Sequence, residues 1–365
     1  MRIDSLELEF WRNYLHAKLD FAPGVNVFYG SNAQGKTNLL EAIAYLSSAR
    51  SHRARYDKEL IMLGVDNGFL NAQVWNGSRS VTLEARLART SRRQLYANGV
   101  RLKSAAELSE QFRTVLFCPE DLFLVKAGAS ERRRFFDEHI CQLRGKYALA
   151  LAEYKRLHEH KTRILKDYPQ RPDLLDTLDD FSLRMAQTGA VVIHYRAHFV
   201  QALRQHAPAI HSQCSGGGEQ LDLRYKTVST VTDPLAGSKT IFQQLLEHQQ
   251  SHRQAELESH MCLTGPHKDD LELTINGQSA KEYASQGQTR TAALALKLGA
   301  RELFYSDTGQ WPVLLLDDVL SELDQFRREF VLEHIQGGQV FITACEEGDF
   351  PKAKKFRVEE GQVVG

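Results

Sequence analysis

Gly30-Ser31-Asn32-Ala33-Gln34-Gly35-Lys36-Thr37 fits the pattern G-x-x-x-x-G-K-[ST] in full. Upstream, Val25, Val27 and Tyr29 read as an apolar strand, and downstream Asn38 to Leu46 reads as a helix. A strand that turns through two glycines into a helix is what a phosphate-binding loop requires. The glycines let successive N–H groups converge on an anion, and the helix adds its unpaired amides and the positive end of its dipole. Lys36 reaches the outer phosphates of a triphosphate, and the Thr37 hydroxyl is placed to ligate Mg²⁺. The run from Gly30 to Asn38 is therefore the candidate nucleotide site.

Two distant segments extend this reading. Val313, Leu314, Leu315 and Leu316 run directly into Asp317 and Asp318. Consecutive apolar residues of this kind describe a strand buried on both faces of a parallel sheet, and such sheets bind ligands at their carboxyl ends. Asp317 can hold Mg²⁺ directly or through water, while Asp318 can orient or deprotonate an attacking water. The plainer alternative is an acidic turn capping a core strand. Ser285-Gln286-Gly287-Gln288 precedes Leu294, Leu298 and Leu303 at near-helical spacing. A serine, a glycine and a glutamine at a helix start make a second anion cradle. One triphosphate does not need two cradles from one chain, so this segment is expected to close over nucleotide held by a second copy. Taken alone, the tetrapeptide reads as an N-cap with a flexible turn.

The order of these motifs, followed by Ser321-Glu322-Leu323-Asp324, resembles the ABC-type ATPase heads of the SMC and Rad50-like branch, and within it the RecF family of bacterial recombinational repair. Further residues carry the resemblance: Phe10 to Tyr14, Leu40 to Ile43, Ser51-His52-Arg53, Pro119 to Leu122, Gly265 to Asp270 and Ser285 to Thr291. It implies an α/β fold, an ABC-type P-loop ATPase head with a mixed sheet and flanking helices, and an inserted, mostly helical arm. The expected division is residues 1–118 and 264–365 for the head and 119–263 for the arm. The resemblance also places Arg12 and Asn13 near the nucleotide, Asn32 within reach of the terminal phosphate, and Glu120 at the metal or its water; His267 and Asp270 read as structural or interface residues. It implies ATP and Mg²⁺ as ligands, an ATP-dependent homodimer, binding to gapped DNA or single-strand to double-strand junctions, cooperation with RecR and RecO, and loading of RecA. Two departures from the ABC pattern matter. Asp318 stands where most such heads carry glutamate; one methylene shorter, it predicts slow hydrolysis. Ala344 stands where many carry a phosphate-sensing histidine, so that role is unfilled or passes to Thr343.

Composition sets limits on these expectations. With 46 basic and 46 acidic residues, the chain as a whole has no pull toward nucleic acid, so a DNA surface must come from local clusters. Arg50, Arg53 and Arg55 form one such cluster with His52, and Arg89, Arg92 and Arg93 form a second with Arg86. Arg132, Arg133 and Arg134 form a third, assigned either to DNA or to an interface within the protein. The five cysteines are scattered without a C-x-x-C spacing, which predicts neither a disulfide framework nor a zinc site. Met1 to Phe10 alternates as a strand rather than a secretory signal, no apolar run is long enough to cross a membrane, and the expected location is cytoplasmic.

Between the head segments, apolar residues at helical spacing predict one long helix from Ser130 to about Tyr168 and a second from Leu174 to Leu203, joined across Pro169 and Pro172. A strand at Leu221 to Lys226 and a helix around Ile241 to Met261 complete the arm. Alternative functions are another SMC-like or transporter-type ABC ATPase, or a P-loop kinase for a small metabolite. The kinase has no use for S-Q-G-Q, and the transporter subunit needs a membrane partner.

Overall fold

In the computed structural model, which describes residues 1–348, 350 and 352–364, the strand Val313–Leu316 is buried at every position. It sits inside a sheet whose order, among the described residues, is Gln362–Val364, Lys354–Glu359, Val25–Tyr29, Val340–Ala344, Val313–Leu316 and Thr114–Phe117. Every adjacent pair is parallel except Lys354–Glu359 with Gln362–Val364. Parallel strands require crossover connections that cover the sheet faces, which is why V-L-L-L carries no polar residue. One strand separates the strand that enters the phosphate loop from the strand that ends in the two acids. The loop, Thr343 and Asp317 consequently emerge at the same carboxyl edge.

A second sheet, antiparallel throughout, orders Tyr14–Asp20, Arg2–Trp11, Asn67–Trp75, Ser80–Ala88, Gln94–Ala97 and Val100–Arg101 among the described residues. Its last hairpin turns at Asn98-Gly99 with φ of 50° and 75°, the left-handed pair that this dipeptide accommodates best. The helix Lys36–Ser48 touches strands of both sheets. Leu39, Leu40, Ile43, Tyr45 and Leu46 are fully buried on it, so it is apolar nearly all round rather than along one stripe.

The chain divides into two compact units: Met1–Phe123 with Gln213–Gly216 and Arg290–Gly365, and Leu124–Ser212 with Gly217–Thr289. The division differs from the expected boundaries first at 119–123 and 213–216, which pack with the head, and second at 264–289, which pack with the arm. The physical reason for the second difference is strand pairing. Asp270–Ile275 lies antiparallel to Leu221–Lys226 from the middle of the chain, a partnership that motif order does not reveal.

The arm unit contains the helices Ala129–Leu143, Gly145–Asp167, Leu178–Leu203 and Ser238–Ser259. The single helix expected from Ser130 to Tyr168 is thus two. Arg144 adopts an extended backbone, φ −136° and ψ 96°, closing one helix and opening the next. The apolar step from Leu143 to Tyr147 stays at four residues across this break, so periodicity alone does not register it, and Gly145 supplies the weak helix former at the joint. Arg196 is buried at the centre of this unit, donating to Asp137 and Asp269 at 2.8 Å each, to the Pro266 carbonyl at 2.7 Å and to the Tyr147 hydroxyl at 3.0 Å. A buried guanidinium is tolerable only when so fully partnered. Arg132 is likewise buried, bidentate to Asp270 at 2.6 and 2.9 Å, and Arg133 donates to the Asp269 carbonyl at 2.8 Å, so these two members of the third basic cluster serve contacts inside the protein while Arg134 is exposed. No helix among the described residues is long and apolar enough to cross a membrane.

Candidate nucleotide site

Ala33 (φ 64°) and Gly35 (φ 119°) give the phosphate loop its left-handed turns, and Gly30 (φ 147°) gives it an opening that a side chain would block by running into the Val358 carbonyl. The helix that follows has no acidic residue in its first turn and no side-chain cap, so its positive end is left for an external anion. Lys36 is buried and folds under its own loop, donating to the Gly30 carbonyl at 2.5 Å and the Ser31 carbonyl at 2.8 Å. An ammonium carries three donors; two fix its position and the third remains for a phosphate.

The acids and the loop meet through two hydroxyls. Thr37 Oγ1 donates to Asp317 Oδ1 at 2.9 Å, and Thr343 Oγ1 donates to the same oxygen at 3.0 Å. The Asp318 N–H in turn donates to Thr343 Oγ1 at 2.7 Å. Burial raises the Asp317 carboxyl above its ordinary range, against the pull of the two hydroxyl hydrogen bonds. A buried carboxylate oxygen beside a threonine hydroxyl is a hard-oxygen donor set that suits Mg²⁺. Thr343 is engaged as a bridge between the two acids. Asp318 is left-handed, φ 53°, and its carboxylate accepts from Ser321 Oγ at 3.0 Å. The S-E-L-D segment therefore has two local tasks: Ser321 steadies Asp318, and Asp324 caps the helix Gln325–His334 by accepting from the Arg327 N–H at 2.9 Å.

Several contacts brace the loop from outside. Tyr14 OH donates to the Gly35 carbonyl at 3.1 Å, Trp11 Nε1 to the Asn38 carbonyl at 3.0 Å, and Asn13 Nδ2 to the Gln34 carbonyl at 3.0 Å. On the other side, the Gly361 N–H donates to the Gln34 carbonyl at 3.0 Å and the Glu360 N–H to Gln34 Oε1 at 2.6 Å. Asn13 thus touches the loop. Arg12 does not point into it: its guanidinium is bidentate to Glu41, both contacts at 2.8 Å, and donates to the Glu59 carbonyl. Glu41 is fully buried. Burial works to raise its carboxyl, but hydrogen bonds from Arg12 and Ser51 outweigh burial and leave it below the usual range. Asn32 is exposed and meets Cys345 Sγ at 3.2 Å, so a cysteine borders the loop beside the position where a sensing histidine was sought.

Glu120 is exposed, three residues beyond Phe117, whose carbonyl accepts the Asp317 N–H at 2.9 Å. It thus emerges at the same sheet edge as the acids. Its neighbour Asp121 is held by Lys297 at 2.8 Å. Among the basic residues, Arg50, Arg53, Arg55 and Arg92 are exposed. Arg53 reaches Asn38 Oδ1 at 3.0 Å, which ties it to the loop helix. The other two DNA candidates, Arg89 and Arg93, are engaged within the fold. Arg89 donates to the carbonyls of Lys58, Ile61, Met62 and Val65, and Arg93 pairs with Asp57 at 2.9 Å.

The segment Ser285 to Gln288 forms a reciprocal capping box in the arm unit. The Ser285 N–H donates to Gln288 Oε1 at 2.8 Å and the Gln288 N–H to Ser285 Oγ at 3.2 Å. It opens the helix Gln286–Thr308. Because Ser285 Oγ is used only as an acceptor in the box, its proton is available to an outside anion.

A phosphate loop and a buried acid bridged by hydroxyls at the carboxyl edge of a parallel sheet, one strand apart, with a helix-capping S-x-G-Q elsewhere on the chain, define an ABC-type ATPase head. The model of the RecF/RecN/SMC N terminal domain matches residues 2–360, and the chain belongs to that family, in its RecF branch. It is similar to the DNA replication and repair protein RecF of Acetivibrio thermocellus, at 36% identity over 372 residues covering 100% of both chains. Against the protein of the same name from Bacillus subtilis, identity is 38% over 374 residues, again covering 100% of both. Among solved structures, that of the recombination mediator protein RecF with ATP, described within the RecFOR pathway, matches with a TM-score of 0.92 at 32% identity, covering 99% of this chain and 96% of that one.

Proposed function

We propose that this protein is an ATP-driven switch of recombinational repair and replication-fork maintenance, dimerising on DNA when it binds ATP and releasing when it hydrolyses it. The observation that carries the reading is the bridge Thr37–Asp317–Thr343–Asp318, which ties the phosphate loop to both acids through two hydroxyls. In this reading the amides of Ser31 to Thr37 and the Lys36 ammonium hold the triphosphate, Asn13 and Asn38 brace the loop from outside, and Thr37 and Asp317 ligate Mg²⁺, with Glu120 contacting the metal through water. Mg²⁺, when bound, neutralises charge on the outer phosphates. Asp318 orients the attacking water and, being shorter than glutamate and held by Ser321, turns over slowly. Ser285, Gln286, Gly287 and Gln288 of one copy close on the triphosphate held by the other; the free proton of the capping serine supports this role.

The relatives' names support action on DNA, and the pathway printed for the solved RecF structure supports partners among the recombination mediators. By the family resemblance these are RecR directly, with RecO and RecA further along, at gaps or single-strand to double-strand junctions in the cytoplasm. Of the candidate basic residues, Arg50, Arg53, Arg55 and Arg92 are exposed on the head unit and are assigned to phosphate contact, with Arg89 and Arg93 in the same clusters. The test is ATP hydrolysis measured alone and with gapped duplex, blunt duplex, lipid vesicles and a panel of small phosphate acceptors. Stimulation by gapped duplex above the others is expected; stimulation by vesicles, or phosphate transfer to a metabolite, would replace the reading with the transporter or kinase alternative.

A further inference from the structure

Within the arm unit, the segment Gly265 to Asp270 is only partly explained by packing. Asp269 and Asp270 answer the buried Arg196 and Arg132, but His267 points elsewhere. It stands with His158 from the helix Gly145–Asp167 and Cys262 from the stretch after the helix Ser238–Ser259. One ligand atom from each of the three lies within 4.8 Å of the other two, and the two imidazole rings are 4.2 Å apart between centroids. We propose that His158, Cys262 and His267 form a zinc site, independent of the nucleotide chemistry.

The hydrogen bonds fix the tautomer this requires. His267 Nε2 lies 3.1 Å from the Cys262 carbonyl; a carbonyl only accepts, so this nitrogen carries the proton. Nδ1 is therefore the lone-pair nitrogen, and Tyr154 OH, 2.7 Å away, donates to it. N–H donation to a backbone carbonyl fixes the ring's tautomer and orientation, as in metal-binding histidines, and leaves Nδ1 able to ligate once the Tyr154 hydroxyl turns away. Gly265, at φ 126°, makes room for the Tyr154 hydroxyl beside His267, with which a side chain there would collide. His158 is half-buried, its ring against Tyr154 and His267, and gives the cluster a solvent side through which an ion enters.

The donor set selects the metal. Two imidazoles and a thiolate are too soft for Mg²⁺ or Ca²⁺ and suit Zn²⁺, whose fourth position is filled by water or the Tyr154 oxygen. The nearby buried pair Lys161 and Glu256, 2.7 Å apart, is neutral as a unit, so the cation joins one thiolate and two neutral rings. Binding forms the Zn–S and Zn–N bonds, releases the thiol proton to solvent and frees the Tyr154 hydroxyl from Nδ1. No electron is transferred. The ion then ties the helix bearing His158 to the turn bearing His267.

Cobalt titration of the untagged full-length chain, stripped with a chelator, reads the site directly. Co²⁺ reports thiolate ligation by a near-ultraviolet charge-transfer band and tetrahedral geometry by visible bands. One saturable equivalent, displaced by one equivalent of Zn²⁺ and accompanied by a higher melting temperature, is expected for the wild type and unchanged in Cys118→Ser and Cys345→Ser. Cys262→Ser should lose the charge-transfer band. His158→Ala, at a half-exposed position that the fold tolerates, should bind at least about tenfold more weakly. Absence of a thiolate band in the wild type, its survival in Cys262→Ser, or undiminished affinity in His158→Ala would each overturn the proposal.

Discussion

At the scale of single residues, the account rests on what Thr343 and Asp317 do for each other. Thr343→Val removes the donor to Asp317 and the acceptor of the Asp318 N–H together. Turnover at saturating Mg²⁺-ATP should fall about 10- to 100-fold, with nucleotide affinity nearly unchanged; single-turnover hydrolysis beside equilibrium binding checks both. Glu41→Ala strands Arg12 beside a buried gap and should cost about 3 kcal/mol in urea unfolding. A pH dependence belongs to Asp269, fully buried in the arm unit. Burial raises its carboxyl, and although Arg196 and Tyr225 pull it down, it stays at about 6 against an ordinary 3.8. With the folded value above the unfolded one, the folded state holds the proton longer. This contribution is fully present below the unfolded value and is lost as pH rises to about 6, a span worth about 3 kcal/mol. Asp269→Asn removes that slope, so its stability relative to wild type should improve from pH 4 to pH 7, measured by urea unfolding at both ends.

At the scale of elements, legibility followed locality. The phosphate loop and the apolar strand into Asp317 each carry their whole signal within about ten residues, because backbone sterics and alternation act locally. Ser285 and Gln288 were read as a cradle and an N-cap; the structure shows the reciprocal box, and Ser285→Ala should cost about 1 kcal/mol through the lost cap, visible in a thermal melt without nucleotide. What stayed hidden depends on partners far along the chain. The Phe10 to Tyr14 segment is marked by the family resemblance, but the way it braces the loop, like the Gln34 to Gly361 contact, runs through backbone carbonyls that no residue pattern shows. For Arg89 and Arg93 a sequence shows charge but not the acid or the carbonyls that occupy it, and for Arg12, placed by resemblance, it does not show the buried Glu41. The pairing of Asp270–Ile275 with Leu221–Lys226 moved a whole segment from one unit to the other for the same reason.

At the scale of the whole molecule, the claim is that nucleotide is bound by two copies, each offering half of the contacts. Asp318→Asn should keep ATP binding, slow its loss and so prolong the dimer, whereas Ser285→Arg should place a bulky cation in the second half-site and spare the first. ATP favours association only to the extent that it binds the dimer better than the monomer. The decisive measurement is light scattering of wild type and Ser285→Arg with Mg²⁺-ATP, beside fluorescent-nucleotide binding on the same samples. A wild-type dimer, with Ser285→Arg monomeric at unchanged nucleotide affinity, is the expected result; a Ser285→Arg chain that still dimerises with ATP would contradict the shared site.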